Sequence, residues 1–218
     1  MSLIEINAVT KRYGEQIVLS GITMNIERGK IYLIKGRSGS GKSTLLNICS
    51  FLENPDNGDV AFKGVSLRKL SENDKKALLR DSFGYIFQEY NLFEDYSAYD
   101  NLLLYLLSIC DKSASEMDTI INENLNRVGL SHKSNDKAKL LSGGERQRLT
   151  LARTLILPKE VIFADEPSAN IDNANVIIMK EIFIELRAKG TALMIVTHDS
   201  VFDDIADYSY LLEEGVFL

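Results

Sequence analysis

The tightest constraint on this chain is one short segment, Gly36-Arg37-Ser38-Gly39-Ser40-Gly41-Lys42-Ser43-Thr44. It follows the apolar run Ile31-Tyr32-Leu33-Ile34 and precedes Leu45-Leu46-Asn47-Ile48. The first run reads as a buried strand and the second as a helix, which is the strand–loop–helix setting of a P-loop. Glycines let such a loop curl until successive N–H groups point inward, and the helix N-terminus adds partial positive charge at the same place. Lys42 is expected to reach the β- and γ-phosphates of a nucleoside triphosphate, and the Ser43 hydroxyl to ligate Mg²⁺.

A second element fits beside it. Glu160-Val161-Ile162-Phe163-Ala164-Asp165-Glu166-Pro167 is an apolar strand ending in adjacent carboxylates. Alone, such a strand is commonly just one that stops at a solvated turn. Beside a P-loop, Asp165 is expected to hold the Mg²⁺ shell through water, and Glu166 to polarise an attacking water as general base.

Composition narrows the fold class. The chain has 218 residues, enough for one large domain or a core with a subdomain, and helix-like and strand-like segments alternate, which argues for α/β. A net charge of −6 gives no electrostatic reason to expect nucleic acid. Cys49 and Cys110 sit in apolar contexts without metal-ligand spacing and are expected to be buried free thiols. No signal peptide is expected, and the longest apolar stretch, Leu102 to Cys110, is too short to cross a bilayer. The expectation is a soluble chain.

Along the sequence, residues 2–9 and 16–26 read as strands, and residues 71–80, opening at Ser71, as a capped helix. Helices are expected at 97–110, 114–128, 143–157 and 174–188, and strands at 160–164 and 192–197. His132 lies in a polar stretch and is expected in solvent. Leu102 to Leu107 is apolar on nearly every face and is expected to pack in a core.

The segment Leu141-Ser142-Gly143-Gly144-Glu145-Arg146-Gln147-Arg148 has no obvious job in the same nucleotide site. Its glycines open a helix, giving a second N-terminus suited to phosphate. With the P-loop, it resembles the signature of the ATP-binding cassette (ABC) ATPases. Further matches run in family order. Tyr13 resembles the aromatic that stacks on adenine, although an ordinary strand-end tyrosine is the plain alternative. Gln88 resembles the glutamine that senses Mg²⁺ and water. Ser168-Ala169-Asn170-Ile171-Asp172 resembles the dimer-interface loop, and His198 the histidine that contacts the γ-phosphate.

The resemblance implies a P-loop NTPase core of the ABC type with an N-terminal antiparallel β-subdomain and an inserted α-helical subdomain. Residues 1–89 and 158–218 would form the core, and 90–157 the helical part. It also implies that Leu141, Ser142, Gly143, Gly144 and Glu145 close over ATP held by a second cassette, while Gly36 to Thr44 hold ATP in their own subunit. Ser168 and Asp172 would line the dimer interface. The implied partners are a second cassette and an integral-membrane permease, which Tyr90 to Tyr99 would help to engage. The implied location is the cytoplasmic face of the membrane. Phe87-Gln88 followed by Tyr90-Asn91-Leu92-Phe93 is similar to the lipoprotein-release, macrolide-exporter and antimicrobial-peptide-transporter branch. Ser168-Ala169 departs from the Thr-Gly common there, and no proline stands before Leu141. The alternative function is a soluble ABC ATPase acting on nucleic acid or ribosomes.

Overall fold

The computed structural model describes residues 2–169 and 171–218. The chain begins with β1 (Ser2–Tyr13), β2 (Gln16–Glu27), β3 (Ile31–Lys35) and α1 (Lys42–Cys49). Next come β4 (Asn57–Phe62), β5 (Val65–Ser66), α2 (Glu72–Asp81) and β6 (Phe83–Ile86). Helices α3 (Ala98–Ile109), α4 (Ala114–Arg127) and α5 (Gly143–Leu155) precede β7 (Val161–Asp165) and α6 (Asn173–Ala188). The remaining strands are β8 (Ala192–Thr197), β9 (Tyr208–Glu213) and β10 (Val216–Phe217).

Two sheets result. One has the order β2-β1-β4-β5 and is antiparallel throughout, as expected of the N-terminal part. The other has the order β10-β9-β3-β8-β7-β6. Its centre is parallel, with β3 between β8 and β9, and β7 beside β8. Parallel strands covered on both faces need apolar side chains at every position rather than at alternate ones. Accordingly, all of β8 and the first four residues of β3 and of β7 are buried. Phe83 meets Phe51, Phe62 and Phe163 edge-on, with ring centroids 5.1–5.7 Å apart. Such T-shaped contacts suit the ring quadrupoles.

The chain forms two compact units. One comprises Met1–Gly84, Lys159–Glu166 and Phe183–Leu218, and the other Tyr85–Pro158 and Pro167–Ile182. Helices α2, α3, α4 and α5 all start with the same device, a serine N-cap reciprocated by an acid three residues on. The pairs are Ser71–Asp74, Ser97–Asp100, Ser113–Glu116 and Ser142–Glu145, each satisfying two otherwise orphan N–H groups.

Some expectations needed adjustment. Helix α5 stops at Leu155, not 157, because Pro158 disfavours helical backbone before it. Leu102 and Leu106 are buried, but Leu107 on the opposite side of α3 is 58% exposed. Cys49 is buried whereas Cys110 is half-buried, just past the end of α3. His132 is exposed.

The loop before α3 is fastened by one buried side chain. Asn101 accepts from Phe93 N at 2.8 Å and donates to Phe93 O at 3.1 Å and Ser97 O at 2.9 Å. Removing it strands several buried backbone groups, each costing about 1–3 kcal/mol when unsatisfied. Asn101→Ala is expected to lower stability by about 2–3 kcal/mol in urea unfolding and to expose residues 93–97 to limited proteolysis.

Candidate nucleotide site

The P-loop follows β3 and ends at Gly41, which caps α1 with a left-handed backbone, φ +99°. A Cβ on Gly41 would lie 2.8 Å from Val18 O, and one on Gly36 would lie 2.4 Å from Leu212 O. Both positions therefore admit only glycine. Arg37, Ser38 and Gly39 are exposed, with Ser40 half-buried beneath them. Lys42 is buried at the first position of α1, and its Nζ donates to Gly36 O at 2.8 Å and Arg37 O at 3.1 Å. Its ammonium thus lies inside the loop whose N–H groups and helix dipole favour an anion. Ser43 is exposed and Thr44 half-buried on the same first turn.

Parallel pairing brings further groups to this end of the sheet. Lys35 lies opposite Thr197, and Asp165 opposite Val196. Glu166 has left β7 and takes φ +44°, an uncommon backbone for a non-glycine residue. Its carboxylate Oε2 accepts from Thr197 Oγ1 at 2.8 Å and lies 2.9 Å from His198 Nδ1. Its other oxygen is 3.7 Å from Lys42 Nζ.

Charge follows geometry. Burial would raise the Glu166 pKa, but hydrogen bonds from His198 and Thr197 outweigh it and hold it below the ordinary value. The hydrogen bond to Glu166 raises the pKa of His198, which is otherwise exposed. Asp165 is shifted upward, chiefly by burial, against the opposing hydrogen bond from Ser43. Asp165 Oδ1 is buried with no hydrogen-bond partner among the described residues. A buried, unsatisfied carboxylate oxygen beside a serine hydroxyl is the hard-oxygen donor set that suits Mg²⁺.

Tyr13 ends β1 and is 50% exposed. Its hydroxyl donates to Glu53, with both carboxylate oxygens within 2.8 Å.

The other expected residues belong to the second unit. Gln88 is exposed in the segment after β6. Leu141 is buried, while Ser142 caps α5 and is itself exposed. Ser142 N donates to Glu145 Oε2 at 2.8 Å. Gly143 and Gly144 form the first turn of α5, and a Cβ on Gly144 would lie 2.2 Å from Asn175 Nδ2. Asn175 donates through its backbone N–H to Asp172 Oδ1 at 2.9 Å and accepts from Arg148. Gln147 donates to Pro167 O at 3.0 Å. Pro167 and Asp172 are thus tied to α5, and Asn170 of the expected interface loop lies outside the described residues. Sequence reading missed Thr197, Asn175, Arg148 and Gln147 as members of these networks. Thr197 carried a signal as the last residue of the strand before His198, and Gln147 and Arg148 lay in the quoted segment Leu141 to Arg148; Asn175 carried none.

The family model described as ABC transporter matches residues 19–169. This chain belongs to the ABC transporter family. Its fold matches the dimeric post-hydrolysis structure of the ATP-binding cassette MJ0796 bound to ADP and Pi. That match has a TM-score of 0.86 and 30% identity over 97% of this chain and 95% of the other. A second dimeric structure of MJ0796, described as a bacterial ABC transporter cassette, aligns at TM-score 0.87 and 31% identity over the same shares. CbiO1 from Clostridium perfringens, part of the transporter complex CbiONQ, aligns at 0.89 and 26% over 100% of this chain and 87% of its own. The chain is an ABC ATPase cassette, a family that binds and hydrolyses ATP and typically uses Mg²⁺. Among the described residues no helix is long and apolar enough to cross a membrane.

The Glu166–His198 pair predicts a specific titration. A raised His198 pKa means its contribution is full below the ordinary histidine range and lost as pH rises through the raised value. The depressed Glu166 contributes above the ordinary carboxylate range and is lost as pH falls through its lowered value. The ion pair therefore exists between those two limits. In an NMR pH titration, His198 is expected to titrate above a free imidazole and to move back down in Glu166→Gln. A midpoint unchanged by that substitution contradicts the pairing.

Proposed function

We propose that this chain is the ATP-hydrolysing motor subunit of an ABC transporter, dimerising around ATP to drive a separate membrane permease of the export or mechanotransmission type. The observation that carries the reading is the grouping of Lys42, Asp165, Glu166 and His198 at one end of the parallel sheet. The dimeric cassettes and the transporter complex among its structural relatives support the choice of partners.

In this reading, Gly36 to Thr44 hold the triphosphate through backbone N–H groups and the Lys42 ammonium. Tyr13 offers its ring to adenine. Ser43, and Asp165 through water, would hold Mg²⁺, which would supply positive charge against the phosphates. Glu166 takes the proton of the attacking water, and His198, held by Glu166, faces the γ-phosphate. Glu166 stays ionised near neutral pH because its partners are donors, so it is ready to act as a base.

The first turn of α5 supplies the other half of a composite site. Ser142 and Glu145 satisfy one another, leaving the N–H groups of Gly143 and Gly144 for the γ-phosphate of a second cassette. Ser168 and Asp172 would then face that partner. Residues 90–157 act as the helical subdomain, between core segments 1–89 and 158–218. Phe93 and Tyr96, 55% and 50% exposed and packed edge to face, support permease contact through Tyr90 to Tyr99. The branch similar to lipoprotein-release and macrolide-exporter cassettes, and location at the cytoplasmic membrane face, belong to the same proposal.

Two experiments test it. Glu166→Gln is expected to bind ATP as the parent does, to lose roughly 10²–10⁴ in turnover, and to accumulate an ATP-dependent dimer on a sizing column. Parental turnover in that variant contradicts the assignment of the base. Cysteines placed near Ser38 and near Gly144 are expected to crosslink between chains and only with ATP. Crosslinks within one chain, or equal ones without nucleotide, contradict the shared site.

A further inference from the structure

The end of β1 carries two side chains that no role above uses, Lys11 and, through its contacts, Glu53. Lys11 and Tyr13 are two apart on a strand, so their side chains leave the same face. Lys11 Nζ lies over the Tyr13 ring, 5.5 Å from its centroid, at a distance where a cation is attracted to the ring face. The same ammonium is 2.9 Å from Glu53 Oε1, and Glu53 accepts the Tyr13 hydroxyl at 2.7 and 2.8 Å. Three side chains thus close a ring of contacts around one aromatic, which nonetheless remains half exposed.

Glu53 is not an isolated surface acid. It follows α1, the helix that begins at the P-loop, and its backbone N–H donates to Asn47 O at 3.1 Å. The segment after it is stitched to β1 throughout. Lys11 Nζ donates to Asn54 O at 2.9 Å, Arg12 N to Asp56 Oδ2 at 2.6 Å, and Asp56 N to Thr10 O at 3.0 Å. Tyr13 is therefore located relative to α1, whose first turn cradles the phosphates, and does not depend on a free strand end for its position.

We propose that Lys11 and Glu53 are positioning residues for the nucleotide base: they hold the Tyr13 ring at a set span from the P-loop, with Lys11 backing one face and the exposed face left for a purine. This rests on the reading of Tyr13 as the base platform. A ring held in advance loses less rotamer freedom on binding, so the network acts on affinity for the base and not on the chemical step.

The test compares ATP with inorganic tripolyphosphate, which carries the phosphates without a base, both with Mg²⁺. Tyr13→Ala removes the stacking platform and is expected to raise KM for ATP about tenfold or more. Glu53→Ala and Lys11→Met are expected to raise it about threefold or more, with kcat and the inhibition constant of tripolyphosphate as in the parent. Glu53→Gln, which can still accept the phenol hydrogen bond, is expected to restore most of the affinity. Tyr13→Ala without effect on KM overturns the platform reading itself. A raised KM in Tyr13→Ala with none in Glu53→Ala overturns the positioning role alone. Losses in Glu53→Ala that fall equally on kcat or on tripolyphosphate inhibition show a general structural role and also overturn it.

Discussion

The parallel pairing of β3, β7 and β8 is the constraint on which the site depends. Because the three strands run the same way, their C-terminal ends lie together, and the candidate groups Lys42, Asp165, Glu166 and His198 lie at or just beyond those ends. Lys42 comes after β3, Asp165 closes β7 with Glu166 next after it, and His198 follows β8. An antiparallel arrangement would place one of these groups at the far edge of the sheet. The apolar strands themselves are featureless, and their function is to hold direction and register.

Within that frame, opposite charges restrain one another. Lys42 is buried but has carbonyl oxygens of its own loop and the Glu166 carboxylate around it. Glu166 is half-buried with donors on one oxygen and an ammonium toward the other, so its charge is compensated without a rigid bidentate ion pair. Its unusual backbone, φ +44°, stores strain of a kind that persists where surrounding contacts over-determine a residue, and here those contacts are the ones that aim the carboxylate.

The second unit is organised around a helix start. The Ser142–Glu145 box satisfies the cap reciprocally, which keeps the two glycines of α5 from being needed for capping. Gly144 is also where α5 approaches Asn175 too closely for any side chain. The absence of a side chain at Gly144 is what allows that contact. Asn175 also bonds Asp172 and Arg148, so α5 and Asp172 are parts of one hydrogen-bonded network.

Much of this was legible in the residues alone. Local signals carry their own geometry: Gly-rich turns, serine caps followed by acids, and uninterrupted apolar strands are decided by backbone sterics and burial within a few positions. That is why the P-loop, the capped helix opening at Ser71, the α/β class and the family itself could be read from the residues, while the antiparallel N-terminal sheet was implied only by the resemblance. Sequence did not reveal the partners of the candidate site residues, because those contacts join residues distant in the chain. Thr197 reaches Glu166 only through strand register, Glu53 reaches Tyr13 only because α1 returns the chain to β1, and Asn175 meets Gly144 only where two helices touch. The exposed Leu107 is the same lesson in reverse, since an all-apolar run cannot say which of its faces will find a neighbour. Sequence determined which chemistry each segment could perform; tertiary structure decided which side chains hold the candidate groups in place, because pairing and packing act across distances that local propensity does not see.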